Sequence, residues 1–277
     1  MRTLALPNGR PIPVLGQGTW HMGENRAHHK DELAALKLGL DLGLSLIDTA
    51  EMYGEGGAET LVGEAIKGRR DQAFLVSKVY PHNASQRGVV QACERSLKRL
   101  GTDRLDLYLL HWRGSHPLAE TVAGFEQLKR GGKILDWGVS NFDIDDMAEL
   151  WTVRHGPNCV ADQVLYNLAR RGIEHELTPW CGERKVAVMA YTPLEPHRLA
   201  RNKVLAAEAR RLGVAPLTLA LAWVIREPGV VTIPKATRLE HVRQNRAALD
   251  LALDQPALDA LDEAFPPPRG KRRLEML

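Results

Sequence analysis

Apolar residues fall along this chain in two rhythms that take turns. Short continuous apolar runs predict buried strands at Leu44–Ala50, Ala73–Val79, Leu105–His111, Ile134–Asn141, Val160–Asn167, Val186–Thr192 and Val230–Pro234. A glycine-rich strand, Val14–Trp20, precedes them. Between the strands, apolar positions recur at helical spacing. Asp31 is placed to cap a helix carrying Leu33, Leu36, Leu40 and Gly43. Further helices are predicted at Glu59–Lys67, Gln86–Leu100 (ended by Gly101), Ala119–Arg130, Asp143–Arg154, Glu174–Cys181, Val204–Leu212, Pro216–Arg226, Leu239–Leu249 and Gln255–Ala264.

Strands alternating with helices imply parallel pairing through right-handed crossovers, and eight such units close a barrel. The expected architecture is an α/β (β/α)8 TIM barrel, taken as one domain over 1–277. Two short apolar runs flank Asn8-Gly9, which predicts an N-terminal β-hairpin cap before the barrel. An open doubly wound sheet is the other candidate. The first strand-to-helix turn, however, reads Gly16-Gln-Gly-Thr-Trp20 and lacks the dinucleotide-binding glycine fingerprint.

Composition narrows the class further. An apolar share of 44% and a charged share of 26% are those of a soluble globular protein. A net charge of +3 is weak reason to expect a nucleic-acid partner, and the basic run Arg269–Arg273 reads as a solvated tail. Pro7, Asn8, Gly9 and Arg10 interrupt any early apolar run, so neither a signal peptide nor a membrane span is expected. Cys93, Cys159 and Cys181 are odd in number and widely spaced, which argues against a disulfide framework and a zinc site. The expectation is a cytoplasmic protein without a metal.

A barrel presents its site at the C-terminal ends of its strands. Those ends carry Trp20, Asp48, Lys78, His111, Ser140 with Asn141, Gln163 with Asn167, Tyr191 and Lys235. One lone histidine or lysine there would mean little. An acid, a lysine and a histidine at three successive tips, with Tyr53 within loop reach of Asp48, mean more.

Together they suit proton delivery to a carbonyl. A phenol with an ordinary pKa near ~10 is a poor donor at neutral pH. A lysine ammonium beside Tyr53 is expected to bring it down, with Asp48 holding Lys78 and His111 donating to the carbonyl oxygen. No nucleophile–base pair for hydrolysis is evident. An acid that protonates a carbonyl needs a hydride for the carbon, and no side chain supplies one, so a cofactor must.

The stretches Gly43–Gly54, Leu105–Trp112, Gly138–Phe142 and Ile233–Lys235 resemble the signature blocks of the aldo-keto reductases, in family order, over about Gly16–Asn245. The resemblance implies a (β/α)8 barrel, NADPH-dependent reduction of aldehydes or ketones, and a monomer. It implies Tyr53 as general acid, Asp48 and Lys78 as its tuners, and His111 as the group orienting the carbonyl. It further implies that Ser140, Asn141 and Gln163 hold the nicotinamide carboxamide while Tyr191 stacks on the ring. Gly18, Thr19, Trp20, Thr192, Pro193, Leu194, Ile233 and Pro234 would flank the cofactor. Lys235, Ala236, Thr237 and Arg238 would hold the adenosine phosphate at a helix start.

The chain departs from the family pattern at His241, where many members carry arginine, and at Gln244, usually acidic, while Asn245 is retained. Lys235 and Arg238 still favour NADPH, with NADH as an alternative. Trp20, Met52 and Trp112 flank the tip residues and imply a pocket for small or apolar carbonyls. The short tail after Ala264 implies a more open site, suited to small aldehydes and methylglyoxal-like 2-oxoaldehydes. A cationic tail would also tolerate a carboxylate. Two other functions remain open: a Schiff-base aldolase using Lys78 or Lys235, and a non-catalytic NADP(H)-binding sensor.

Overall fold

The computed structural model describes residues 2–199 and 201–277. A hairpin of β1 (Thr3–Ala5) and β2 (Pro11–Pro13) comes first, antiparallel, with Gly9 at φ +82° where the turn requires the left-handed region. The barrel strands then follow in spatial order: β3 (Gly16–Gly18), β4 (Leu46–Asp48), β5 (Phe74–Val79), β6 (Leu105–Leu110), β7 (Ile134–Ser140), β8 (Ala161–Leu165), β9 (Ala187–Tyr191) and β10 (Val230–Thr232). All neighbours pair in parallel. A parallel bridge between Leu15 and Thr232 closes the ring, with Thr232 N donating to Val14 O at 2.9 Å. The expected (β/α)8 barrel with a hairpin is the observed fold.

The helices are α1 (His29–Asp41), α2 (Gly57–Ile66), α3 (Gln86–Leu100), α4 (Leu118–Arg130), α5 (Ile144–Thr152), α6 (Leu177–Glu183), α7 (Pro196–Leu199), α8 (Lys203–Arg211), α9 (Pro216–Val224), α10 (Leu239–Ala247) and α11 (Gln255–Ala264). Alternate strand residues enter two different apolar clusters. Leu46, Val76, Leu107, Leu109, Ala161, Met189 and Val231 belong to one. Ile47, Leu75, Tyr108, Leu110, Val164 and Val188 pack instead with the helices. This period of two decides which strand-end residues aim into the barrel.

Several local expectations are corrected. The first helix begins at His29 and its N-cap, His28, makes no side-chain cap, so Asp31 lies inside the first turn. There its charge meets the positive end of the helix dipole. Gly43, at φ +83°, lies beyond the end of that helix. The stretch read as helix Glu174–Cys181 is a 3-10 turn, Gly172–Glu174, followed by α6. The helix read as Asp143–Arg154 starts one residue later because Asp143 is its N-cap, forming a capping box with Asp146. The short α7 was not foreseen.

The hairpin sits at the end of the barrel remote from the strand tips. Asn8 Nδ2 and Arg10 Nη1 donate to the fully buried Asp136 carboxylate, near the start of β7, at 2.7 and 2.6 Å. Among the described residues, no helix is long and apolar enough to cross a membrane.

Candidate active site

The inward parity of each strand carries one polar residue to the rim. Asp48 follows Leu46, Lys78 follows Val76, His111 follows Leu107 and Leu109, and Gln163 follows Ala161. Tyr53 reaches the same point from a 3-10 turn, Tyr53–Gly56, behind β4. The four residues expected to act together are therefore brought together.

Lys78 is fully buried, and its Nζ donates to Asp48 Oδ2 at 2.7 Å, to Thr49 O at 2.9 Å and to Tyr53 Oη at 3.1 Å. Burial alone would lower its pKa, but Asp48 and Tyr53 outweigh that and raise it. Lys78 is thus a charged ammonium with all three protons directed. Asp48 is raised by burial, against the pull of Lys78 and of a 2.8 Å bond from Gln163 Nε2. The Gln163 bond was missed at the sequence level, although the parity of β8 points Gln163 inward.

One expectation about Tyr53 is corrected. Its pKa is raised, because burial outweighs the attraction of Lys78. The phenol therefore keeps its proton at neutral pH. Because Lys78 donates to the phenol oxygen, the phenol's own proton is free to turn to the cavity. His111 has its pKa lowered to about 2 by burial and by Lys78. It is neutral, its Nδ1 is buried without a partner, and its ring stands edge-on to Tyr53 at 5.7 Å. That leaves Nε2 as the nitrogen able to engage a ligand.

Asp48, Tyr53 and His111 line one cavity of about 470 Å³, with Lys78 buried behind them. Gly18, Thr19, Trp20, Met52, Trp112, Ser140, Asn141, Gln163 and Tyr191 also line it, as do Thr192, Pro193, Leu194, Ile233, Pro234, Lys235, His241, Gln244 and Asn245. Ser140 Oγ donates to Gln163 O at 2.8 Å, and Tyr191 Oη donates to Asn141 Oδ1 at 2.9 Å. Asn141 is at φ +58°, its Nδ2 donating to His111 O at 3.1 Å. These bonds fix the Asn141 amide between Tyr191, Ser140 and the His111 carbonyl, at the cavity wall.

Ala236, Thr237 and Arg238 are outside the lining, and Arg238 is exposed, 3.5 Å from Glu240. Their backbone instead leads to α10, whose N-cap makes no side-chain cap. Uncapped N–H groups beside Lys235 suit a phosphate. The residues present therefore fit a nicotinamide dinucleotide: amides and an aromatic face at one end, a cation and open N–H groups at the other.

The basic run Arg269–Arg273 is largely exposed, as expected, but the residues beyond it narrow the open site that the short tail implied. Lys271 lies 3.3 Å from Asp145 and 3.7 Å from Glu176, and Glu275 pairs with Arg170. Met276 and Leu277 then line the cavity, together with His21, Pro196, Leu217 and Thr218. None of these six was foreseen. An apolar pair after a basic run was the one hint of Met276 and Leu277.

Residues 14–265 match the aldo/keto reductase family model. The chain belongs to the aldo/keto reductase family. As a member it is an oxidoreductase. It is 51% identical over 271 residues to the methylglyoxal reductase YeaE of Escherichia coli K12, covering 96% of this chain and 95% of that one. It is 32% identical to the glyoxal reductase of Bacillus subtilis 168, over 94% and 91% of the two chains. An aldo/keto reductase from Klebsiella pneumoniae, solved in complex with NADP and acetate, superposes with a TM-score of 0.96. That structure is 50% identical and covers 99% of each chain.

Proposed function

We propose that this reductase converts small aldehydes and 2-oxoaldehydes of the methylglyoxal kind to alcohols, using NADPH in preference to NADH. The observation that carries the reading is a buried Lys78 ammonium bonded to Asp48 and Tyr53, which line one cavity together with a neutral His111. The methylglyoxal and glyoxal reductases among its relatives support the substrate class, and the NADP-bound relative supports the cofactor.

When bound, the nicotinamide supplies the hydride that the protein lacks. The amides of Asn141 and Gln163, with the Tyr191 ring, would hold it; Lys235 and the start of α10 would hold the adenosine phosphate. His111, with its proton on Nε2, donates to the carbonyl oxygen. Tyr53 then gives its phenol proton to that oxygen as negative charge develops there. Lys78 stabilises the resulting phenolate through its 3.1 Å bond, and Asp48 keeps Lys78 charged. Hydride to carbon and proton to oxygen balance the reduction.

A Schiff-base route through Lys78 is disfavoured by the same geometry, since an ammonium paired at 2.7 Å is not a nucleophile. We take residues 1–277 as one functional domain, because hairpin and tail both pack on the barrel. We take the cytoplasmic monomer as its working form. The test follows nicotinamide absorbance with NADPH or NADH and a panel of small aldehydes. Tyr53→Phe should lose about 10²–10⁴-fold in turnover while still binding NADPH. Full turnover in that variant, or no carbonyl reduced by the wild type, would sink the reading.

A further inference from the structure

Two walls of the cavity come from distant parts of the chain, yet both end on one side chain. The connection after β9 brings Thr192, Pro193 and Leu194 into the lining, and the tail brings Met276 and Leu277. Arg170, in the connection after β8, reaches the residue next to each. Its Nε donates to Glu195 Oε1 at 2.9 Å, directly after Leu194. Its Nη1 donates to Glu275, directly before Met276.

The loop side of this link is firmly held. Buried Asn167 donates through Nδ2 to the same Glu195 oxygen at 3.0 Å and to Thr192 O at 2.9 Å. Thr192 stands at φ +45°. A β-branched residue adopts that region only where its surroundings impose it. The tail side has less to hold it. Met276 and Leu277 are 51% and 62% exposed, and the Lys271 contacts are exposed ion pairs of small worth. Among the described residues, two polar contacts lie at or next to that pair: the Arg170–Glu275 ion pair and a hydrogen bond between the Leu277 backbone and Tyr191.

We propose that Arg170 is a positioning residue that couples the tail wall to the loop wall, and that through it Met276 and Leu277 set which carbonyl side chains the cavity accepts. The specificity half of this rests on the carbonyl reductase reading above. Arg170 bonds to none of the groups proposed to act on the carbonyl, so its loss alters KM and leaves kcat nearly unchanged.

The test compares Arg170→Gln, Arg170→Lys and Glu275→Gln with wild type. Hydrogen exchange of residues 271–277, read without substrate, should speed up in both Gln variants and be largely restored in Arg170→Lys. KM for a bulky apolar aldehyde should rise about 2–5-fold relative to methylglyoxal, the size of a partly exposed ion pair. Met276→Ala should shift the same ratio. Unchanged tail exchange in both Gln variants overturns the coupling, and Glu275→Gln serves if Arg170→Gln folds poorly. Faster exchange with an unchanged KM ratio overturns the specificity role. A wild type that reduces no carbonyl defeats the function reading instead, while the exchange measurement still decides the coupling.

Discussion

Lys78 has three protons and three acceptors, and this simple count governs the site at the residue scale. Because one proton goes to Tyr53 Oη, the phenol can only donate outward, into the cavity. Lys78→Met should therefore remove phenolate stabilisation and leave an unpaired buried Asp48, with turnover falling by at least about 100-fold and stability falling too. Steady-state kinetics and thermal unfolding read the two effects separately. His111 gives a second expectation. Its folded pKa, about 2 against an ordinary 6.5, means the unfolded chain takes up a proton that the folded protein refuses. Stability is full above about pH 6.5 and is lost as pH falls below it. Denaturant titrations from pH 7 to pH 5 should show this loss, and His111→Asn should flatten the slope by up to one proton.

At the scale of elements, the barrel seam and the helix caps are the sensitive places. Gly18 ends β3 where the ring closes, and a Cβ there would sit 2.5 Å from Ile233 O. Backbone cannot yield as a flexible side chain does, so Gly18→Ala should destabilise by about 1–3 kcal/mol. It should also weaken NADPH binding, since Ile233 and Pro234 lead straight to Lys235; calorimetric titration would show no change if the seam is independent of the cavity. The Asp143–Asp146 capping box, by contrast, starts α5 behind the rim. Asp143→Ala should cost about 1 kcal/mol of stability with carbonyl KM unaltered.

For the whole molecule, chemistry and closure are placed at opposite ends. The hairpin plugs the bottom through Asn8 and Arg10 on Asp136, a fully buried carboxylate that Lys129 also contacts at 3.1 Å. Asp136→Asn leaves two partly exposed cations that water can take over. Its expected effect is about 1–3 kcal/mol of stability, with kcat/KM at 25 °C unchanged. A drop in kcat/KM without unfolding would show that the two ends are coupled.

Local pattern carried much of this molecule. The alternation of strand runs and helical spacing determined the barrel, because parallel strands buried on both faces must read as continuous apolar runs. The period of two along each strand likewise determined that Asp48, Lys78, His111 and Gln163 face one another. What needed three dimensions was whatever depends on water being excluded. Burial raises the Tyr53 pKa despite Lys78 and neutralises His111, and no spacing encodes a dielectric. Contacts across long separations were equally out of reach. Arg170 and Glu275 lie 105 residues apart, and only the folded path of the tail brings Met276 and Leu277, beyond the solvated basic run, into the wall of the cavity.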